Sequence, residues 1–126
     1  MQMDDPERWL CHYVGGAWRV PFSTRMAAVR DDRGAILGQV VLATAEDVAR
    51  SERYLRPASA QDDRLYQGLL FQMSGVPVPR RAPPNGILHG AVYLALSNDA
   101  VFAIELANRV ARAGLPPGAF ALLFQA

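Results

Sequence analysis

The strongest pattern of apolar and polar positions lies in the last third of the chain. Residues 87–96 form an almost unbroken apolar run, and Ser97-Asn98-Asp99 interrupts it. Phe102, Ala103, Leu106, Ala107 and Val110 then recur at spacings of three and four, which predicts a helix with one apolar stripe. Glu105 and Arg109 stand four apart in the order that favours an ion pair. Asn98 or Asp99 is placed to cap the helix start; Gly114 is placed for a left-handed C-terminal cap, and Pro116-Pro117 cannot continue the helix. Phe120, Leu122 and Leu123 sit in a closing apolar run read as a buried strand. Strand, helix and strand make one βαβ unit, which requires a parallel sheet covered on both faces.

Upstream the period shortens. Residues 9–14 and 17–20 are extended candidates around Gly15-Gly16, a dipeptide suited to a tight hairpin turn. Residues 25–30 and 35–42 form a second hairpin candidate across Asp31-Asp32-Arg33-Gly34. Thr44-Ala45-Glu46-Asp47 has the form of a capping box, which predicts a helix from Ala45 to about Leu55, stopped before Pro57. Leu65, Tyr66, Leu69, Leu70 and Met73 keep helical spacing across residues 62–73 despite Gly68. Residues 76–86, with Pro77, Pro79, Pro83, Pro84 and Arg80-Arg81, predict an extended linker that bridges packed layers or docks a partner. The fold expected is α/β: N-terminal β-hairpins and a helix packed on a partial Rossmann-like βαβ unit. It is expected as a single domain over 1–126, with hairpins plus helix in 1–55, a helix and Pro-rich linker in 56–86, and the βαβ unit in 87–126.

Composition narrows the function classes. A chain of 126 residues, 51% hydrophobic and 20% charged, is that of an ordinary soluble domain, short for an enzyme that holds both cofactor and substrate. A formal charge of +1 without a basic stripe gives no basis for binding nucleic acid. No apolar run approaches the roughly 20 residues that span a bilayer, and the acidic, polar start at residues 1–8 is unlike a secretory signal. The single cysteine, Cys11, excludes an internal disulfide and fits a reducing cytoplasm. All 13 basic residues are arginines, so the chain holds no lysine.

Two separated stretches, the first of them in three segments, carry a family resemblance. Tyr13-Val14-Gly15-Gly16-Ala17-Trp18, Gly34-Ala35-Ile36-Leu37-Gly38-Gln39-Val40 and Ala43-Thr44-Ala45-Glu46-Asp47-Val48 resemble, in this order, the start of an aldehyde dehydrogenase. Leu106-Ala107, together with Ala113-Gly114-Leu115-Pro116-Pro117-Gly118-Ala119-Phe120, is similar to a segment of that family's cofactor-binding domain. The resemblance covers about half of the chain and implies a truncated, degenerate member with part of a Rossmann-like domain. It also marks departures. The family's long helical region between the two stretches has no room in residues 56–84. Where the family has a cofactor-contacting lysine, this chain has Leu94-Ala95-Leu96-Ser97-Asn98-Asp99, and the family's glycine-rich turn, glutamate base and cysteine nucleophile lie beyond the matched stretch. Cys11 lies in the wrong strand to replace that nucleophile and reads as a small core residue. The resemblance thus implies no bound cofactor and no dehydrogenase activity.

The remaining chemistry rests on two histidines, His12 and His89, with no third ligand spaced for a metal. Asn85-Gly86-Ile87-Leu88-His89-Gly90-Ala91, followed by Leu96 and Asn98-Asp99, resembles the histidine-loop motif of hot-dog thioesterases, in which a loop and helix N-terminus hold a thioester carbonyl while a carboxylate acts. His89 and Asp99 are therefore the catalytic candidates, against a histidine simply hydrogen-bonded at a strand start. Three functions are open at this point. The first is a non-catalytic aldehyde dehydrogenase-like binding or assembly subunit, as a homo-oligomer or within a larger enzyme; degenerate domains of that family in bifunctional proline-oxidising enzymes serve assembly. The second is a small enzyme on acyl-thioester or aldehyde-derived substrates through His89 and Asp99. The third is a nucleotide or small-ligand binder at the N-terminus of the Asp99 helix, where a carboxylate opposes phosphate.

Overall fold

The computed structural model describes residues 9–73 and 78–126. The polar start at residues 1–8 and the Val76-Pro77 part of the proline-rich linker lie outside the described residues. Among the described residues, six strands and three α-helices follow in the order β1 (His12–Val14), β2 (Ala17–Arg19), β3 (Met26–Arg30), β4 (Ile36–Val41), α1 (Ala45–Tyr54), α2 (Ala60–Gln72), β5 (Ala91–Leu96), α3 (Ala100–Arg112) and β6 (Phe120–Gln125). The α/β architecture expected from the sequence is the one found.

The first sheet has the order β2-β1-β6-β5. β5 and β6 are parallel in continuous register from Ala91 opposite Phe120 to Leu96 opposite Gln125, with α3 as their crossover. The hairpin β1-β2 turns on Gly15 (φ 61°) and Gly16 (φ 79°), backbone angles that the glycine pair supplies without steric cost. It does more than pack on the βαβ unit. β1 adds antiparallel to β6 with Tyr13 opposite Leu122, and Leu42 bridges in parallel to Phe124 further along the same strand. The second hairpin, β3-β4, forms a separate two-stranded sheet with an irregularity between Val29 and Arg30.

β6 is the centre of the core because every residue from Phe120 to Phe124 is buried. Phe120, Leu122 and Phe124 join Tyr93, Ala95 and the apolar stripe of α3, with Tyr66 of α2 beside them. Ala121 and Leu123 face the other way, with Val14 and the flanking Val48 and Leu55 of the α1 side. Burying each large apolar side chain of β6 contributes about 1.5–3 kcal/mol. The α1 side is the thinner cover and leaves Val92 and Leu94 half-buried.

Local signals explain the helices. Thr44 and Asp47 form the expected capping box, and Ser59 with Asp62 forms a second one at α2 that the sequence reading missed. Glu105 and Arg109 pair at 2.7 Å, and Gly114 takes φ 76° past α3. Two expectations need correction. β5 begins at Ala91 and not at Ile87, because a turn closed by Gly90 N–H on the Ile87 carbonyl, with Gly90 at φ 80°, occupies residues 87–90. Neither Asn98 nor Asp99 caps α3 with its side chain: a 3₁₀ turn over Ser97–Asp99 enters the helix, and both side chains are engaged elsewhere.

Candidate functional site

In an open α/β sheet, ligands bind outside the carboxyl ends of the strands. That end of β5 is ringed by the turn Ser97–Asp99, the start of α3, the backbone of Arg80-Arg81 and the tip of the β3-β4 hairpin. Together they enclose a cleft of about 230 Å³, lined among others by Arg30, Asp31, Asp32, Arg80, Asn98 and Asp99.

The cleft wall is held by side chain to backbone bonds. Both Asp99 carboxylate oxygens accept backbone N–H groups, from Arg80 at 3.0 Å and from Arg81 at 2.9 Å. Asn98 Oδ1 accepts from the Arg30 N–H at 2.9 Å, tying β3 to the turn. Tyr93 donates its hydroxyl to the Arg81 carbonyl at 2.7 Å, and burial first, then the Asp99 charge, pushes its pKa up. Asp99 is thus a buried acceptor for a chain crossing, and its lone pairs are directed at amides.

His89 lies elsewhere. It is exposed, in the turn two residues before β5. Asp99 is three residues past the other end, so the whole of β5, about 17 Å from its first residue to its last at about 3.3 Å per step, lies between the two. The structure therefore does not bring these candidates together. His89 is followed by a strand and not by the helix N-terminus that the thioesterase-like motif needs, because Gly90 turns the chain directly into β5.

A third polar group lies buried between β1 and α1, where His12, the other histidine of the sequence, meets Asp47 of the capping box, a pairing that sequence reasoning did not draw. His12 is fully buried, and its Nε2 lies 2.9 Å from the Val41 carbonyl oxygen. A carbonyl only accepts, so Nε2 carries the proton and Nδ1 of the neutral ring is a lone pair. Nδ1 has no hydrogen-bond partner and stands 3.9 Å from Asp47 Oδ1. Burial lowers the pKa of His12; the Val41 hydrogen bond and the Asp47 charge oppose this, and Arg50 adds to it. Asp47, also buried, accepts from the N–H groups of Phe22 (2.8 Å), Ser23 (3.3 Å) and Thr44 (3.0 Å) and from the Thr44 hydroxyl (3.0 Å). Burial alone raises its pKa, but the bonds from Thr44 and Phe22 and the His12 contact outweigh it and hold the carboxyl below its ordinary range. The signal available in the sequence was an acidic residue at the third helical position after Thr44, which announces a cap but not the two further donors from residues 22–23.

Among the described residues, no group of three His, Cys, Asp or Glu side chains is placed to hold a metal ion, and no helix is long and apolar enough to cross a membrane. No family model and no curated protein matches the chain. Its backbone is similar to that of a solved aldehyde dehydrogenase: a mutant of aldehyde dehydrogenase C from Pseudomonas syringae, determined with NAD+ and octanal, superposes with a TM-score of 0.76 at 14% identity. The match covers 100% of this chain and 43% of that one. The class is therefore fixed at the level of the fold, which is that of part of an aldehyde dehydrogenase.

Proposed function

We propose that this chain is a non-catalytic aldehyde dehydrogenase-like protein that works by assembly, with a second copy of itself or with a larger enzyme subunit. The observation that carries this reading is the β3-β4 hairpin. Among the described residues its two strands pair with no other strand, β3 being tied only at its end, through Arg30, to Asn98, and the hairpin exposes Met26 (50%), Ile36 (60%) and Leu37 (43%). A short sheet with unpaired outer edges and apolar side chains is a template for pairing with another chain. β5, on the outside of the larger sheet with Val92 and Leu94 half-buried, offers a second such edge. The acid-base candidates support the non-catalytic part of the reading, since Asp99 is spent on backbone amides far from His89. A cytoplasmic location accompanies it, in keeping with a lone cysteine.

The test is light scattering on the purified protein, alone and after capture from its native host, with Leu37→Glu as the variant. A stoichiometric complex or homo-oligomer that Leu37→Glu dissolves is the expected result. A monomer that captures nothing, with hydrolysis of acyl thioesters lost in His89→Ala, would sink the assembly reading.

A further inference from the structure

The geometry points to an acid-released strap: protonation of His12 detaches the β1-β2 hairpin from β6 and bares the edge of the central strand. The hairpin is positioned for this. β1 meets β6 through one register pair, Tyr13 opposite Leu122, while further along that edge Leu42 makes a single bridge to Phe124. At the start of β1, His12 closes the contact by donating Nε2–H to the Val41 carbonyl, with its Nδ1 lone pair buried toward Asp47.

The surroundings decide whether a proton is welcome there. From α1, Asp47 favours it, but at 3.9 Å its Oδ1 makes no hydrogen bond to Nδ1, and its oxygens already hold the N–H groups of Phe22, Ser23 and Thr44. Arg50, on the same helix, opposes it; its guanidinium stacks 4.3 Å from the Phe22 ring centre and donates to the Val20 carbonyl, contacts that hold it in place. From β2, Arg19 is the register partner of His12, but its guanidinium is drawn away to the Val14 carbonyl and over the Tyr54 ring. β4 presents only the Val41 carbonyl, and β6 presents the Phe124 ring at 6.5 Å. Burial and Arg50 therefore prevail over one carboxylate that is already engaged.

The direction follows from linkage. The folded pKa of His12 is lowered, so the opened hairpin, with His12 in water, binds the proton more tightly than the closed one. The closed form is fully favoured above the ordinary histidine value of about 6.5 and loses ground as pH falls below it, until the folded pKa is passed. Asp47 acts in a separate window below its ordinary carboxyl value of 3.8, so the two groups are resolved by pH.

Amide hydrogen exchange between pH 7.5 and 5 tests the strap. The protection factors of Tyr13, Val14 and Leu122 are expected to fall by up to about tenfold per pH unit below 6.5, while those of Ile104 and Leu106 in α3 hold. In His12→Gln, whose amide still donates to Val41 but takes no proton, that fall is expected to vanish; in His89→Gln it is expected to persist. An equal fall in wild type and His12→Gln, or no fall in wild type, overturns the proposal. Should His12→Gln fail to fold, the wild-type imidazole nitrogen shifts decide: protonation that coincides with loss of β1 protection supports the strap, and a His12 that protonates with β1 still protected overturns it.

Discussion

Three backbone N–H groups and a hydroxyl end on the Asp47 carboxylate, from residues 22–23 on one side and Thr44 on the other. Removing it by Asp47→Ala takes away the Asp47 half of the capping box, worth up to about 1 kcal/mol, and strands buried donors at about 1–3 kcal/mol. The expected loss is roughly 2–4 kcal/mol in urea denaturation at pH 7; a loss near zero would mean that water reaches these amides. The pH dependence has a fixed sign. Because the folded carboxyl is more acidic than the unfolded one, its contribution is complete above the ordinary value of 3.8 and is lost as pH falls through the lower folded value. Asp47→Ala is expected to flatten stability against pH in that acid range and to leave the His12 window in place.

At the scale of elements, α2 is less a core helix than a clamp. Only Tyr66 is fully buried along it among the residues of the helix proper, and three of its side chains hold the chain that returns toward β5. Tyr66 donates to the Pro84 carbonyl at 2.7 Å, Gln67 to the Asn85 carbonyl, and Asp63 accepts from the Ile87 N–H at 2.7 Å. Tyr66→Phe keeps the ring against Phe120 and deletes one bond. It is expected to cost about 0.5–1.5 kcal/mol and to raise amide exchange at residues 85–88 more than in α3, as read by hydrogen exchange. This clamp also shows what the sequence could announce. Elements whose signals are local were legible: the Gly15-Gly16 hairpin, the Thr44 to Asp47 box, the α3 stripe and the Gly114 stop each depend on residues within four positions. The long-range bonds were not. Nothing near Asp99 in sequence shows that its carboxylate serves Arg80 and Arg81, or near Tyr66 that its hydroxyl serves Pro84, because the partners lie 18 or 19 residues away along the chain. Acid-base candidates inferred from His89 and Asp99 failed to meet for the same reason: their closeness in sequence is spent along an extended strand.

For the whole molecule, sharing the fold of an NAD+ enzyme does not carry the ligand with it, since binding belongs to a site and not to the fold. The crevice at the carboxyl end of β5 illustrates the point. Its charged lining is three carboxylates, Asp31, Asp32 and Asp99, against two guanidiniums, Arg30 and Arg80. A pyrophosphate entering there meets a net negative rim, and the chain has no lysine to offset it. The start of α3 adds little, because Asp99 stands at its N-cap and cancels part of the positive end of the dipole. NAD+ at millimolar concentration is therefore expected to leave the melting temperature of the protein unchanged, whereas a ligand at a hundred times its Kd adds about 2.7 kcal/mol and shifts the midpoint by several degrees. Asp32→Asn sharpens the measurement, since it lowers the rim charge at an exposed turn without touching a core contact. No shift in either protein agrees with a fold kept for assembly. A shift in the wild type that grows in Asp32→Asn would restore the crevice as a nucleotide site and return attention to the start of α3.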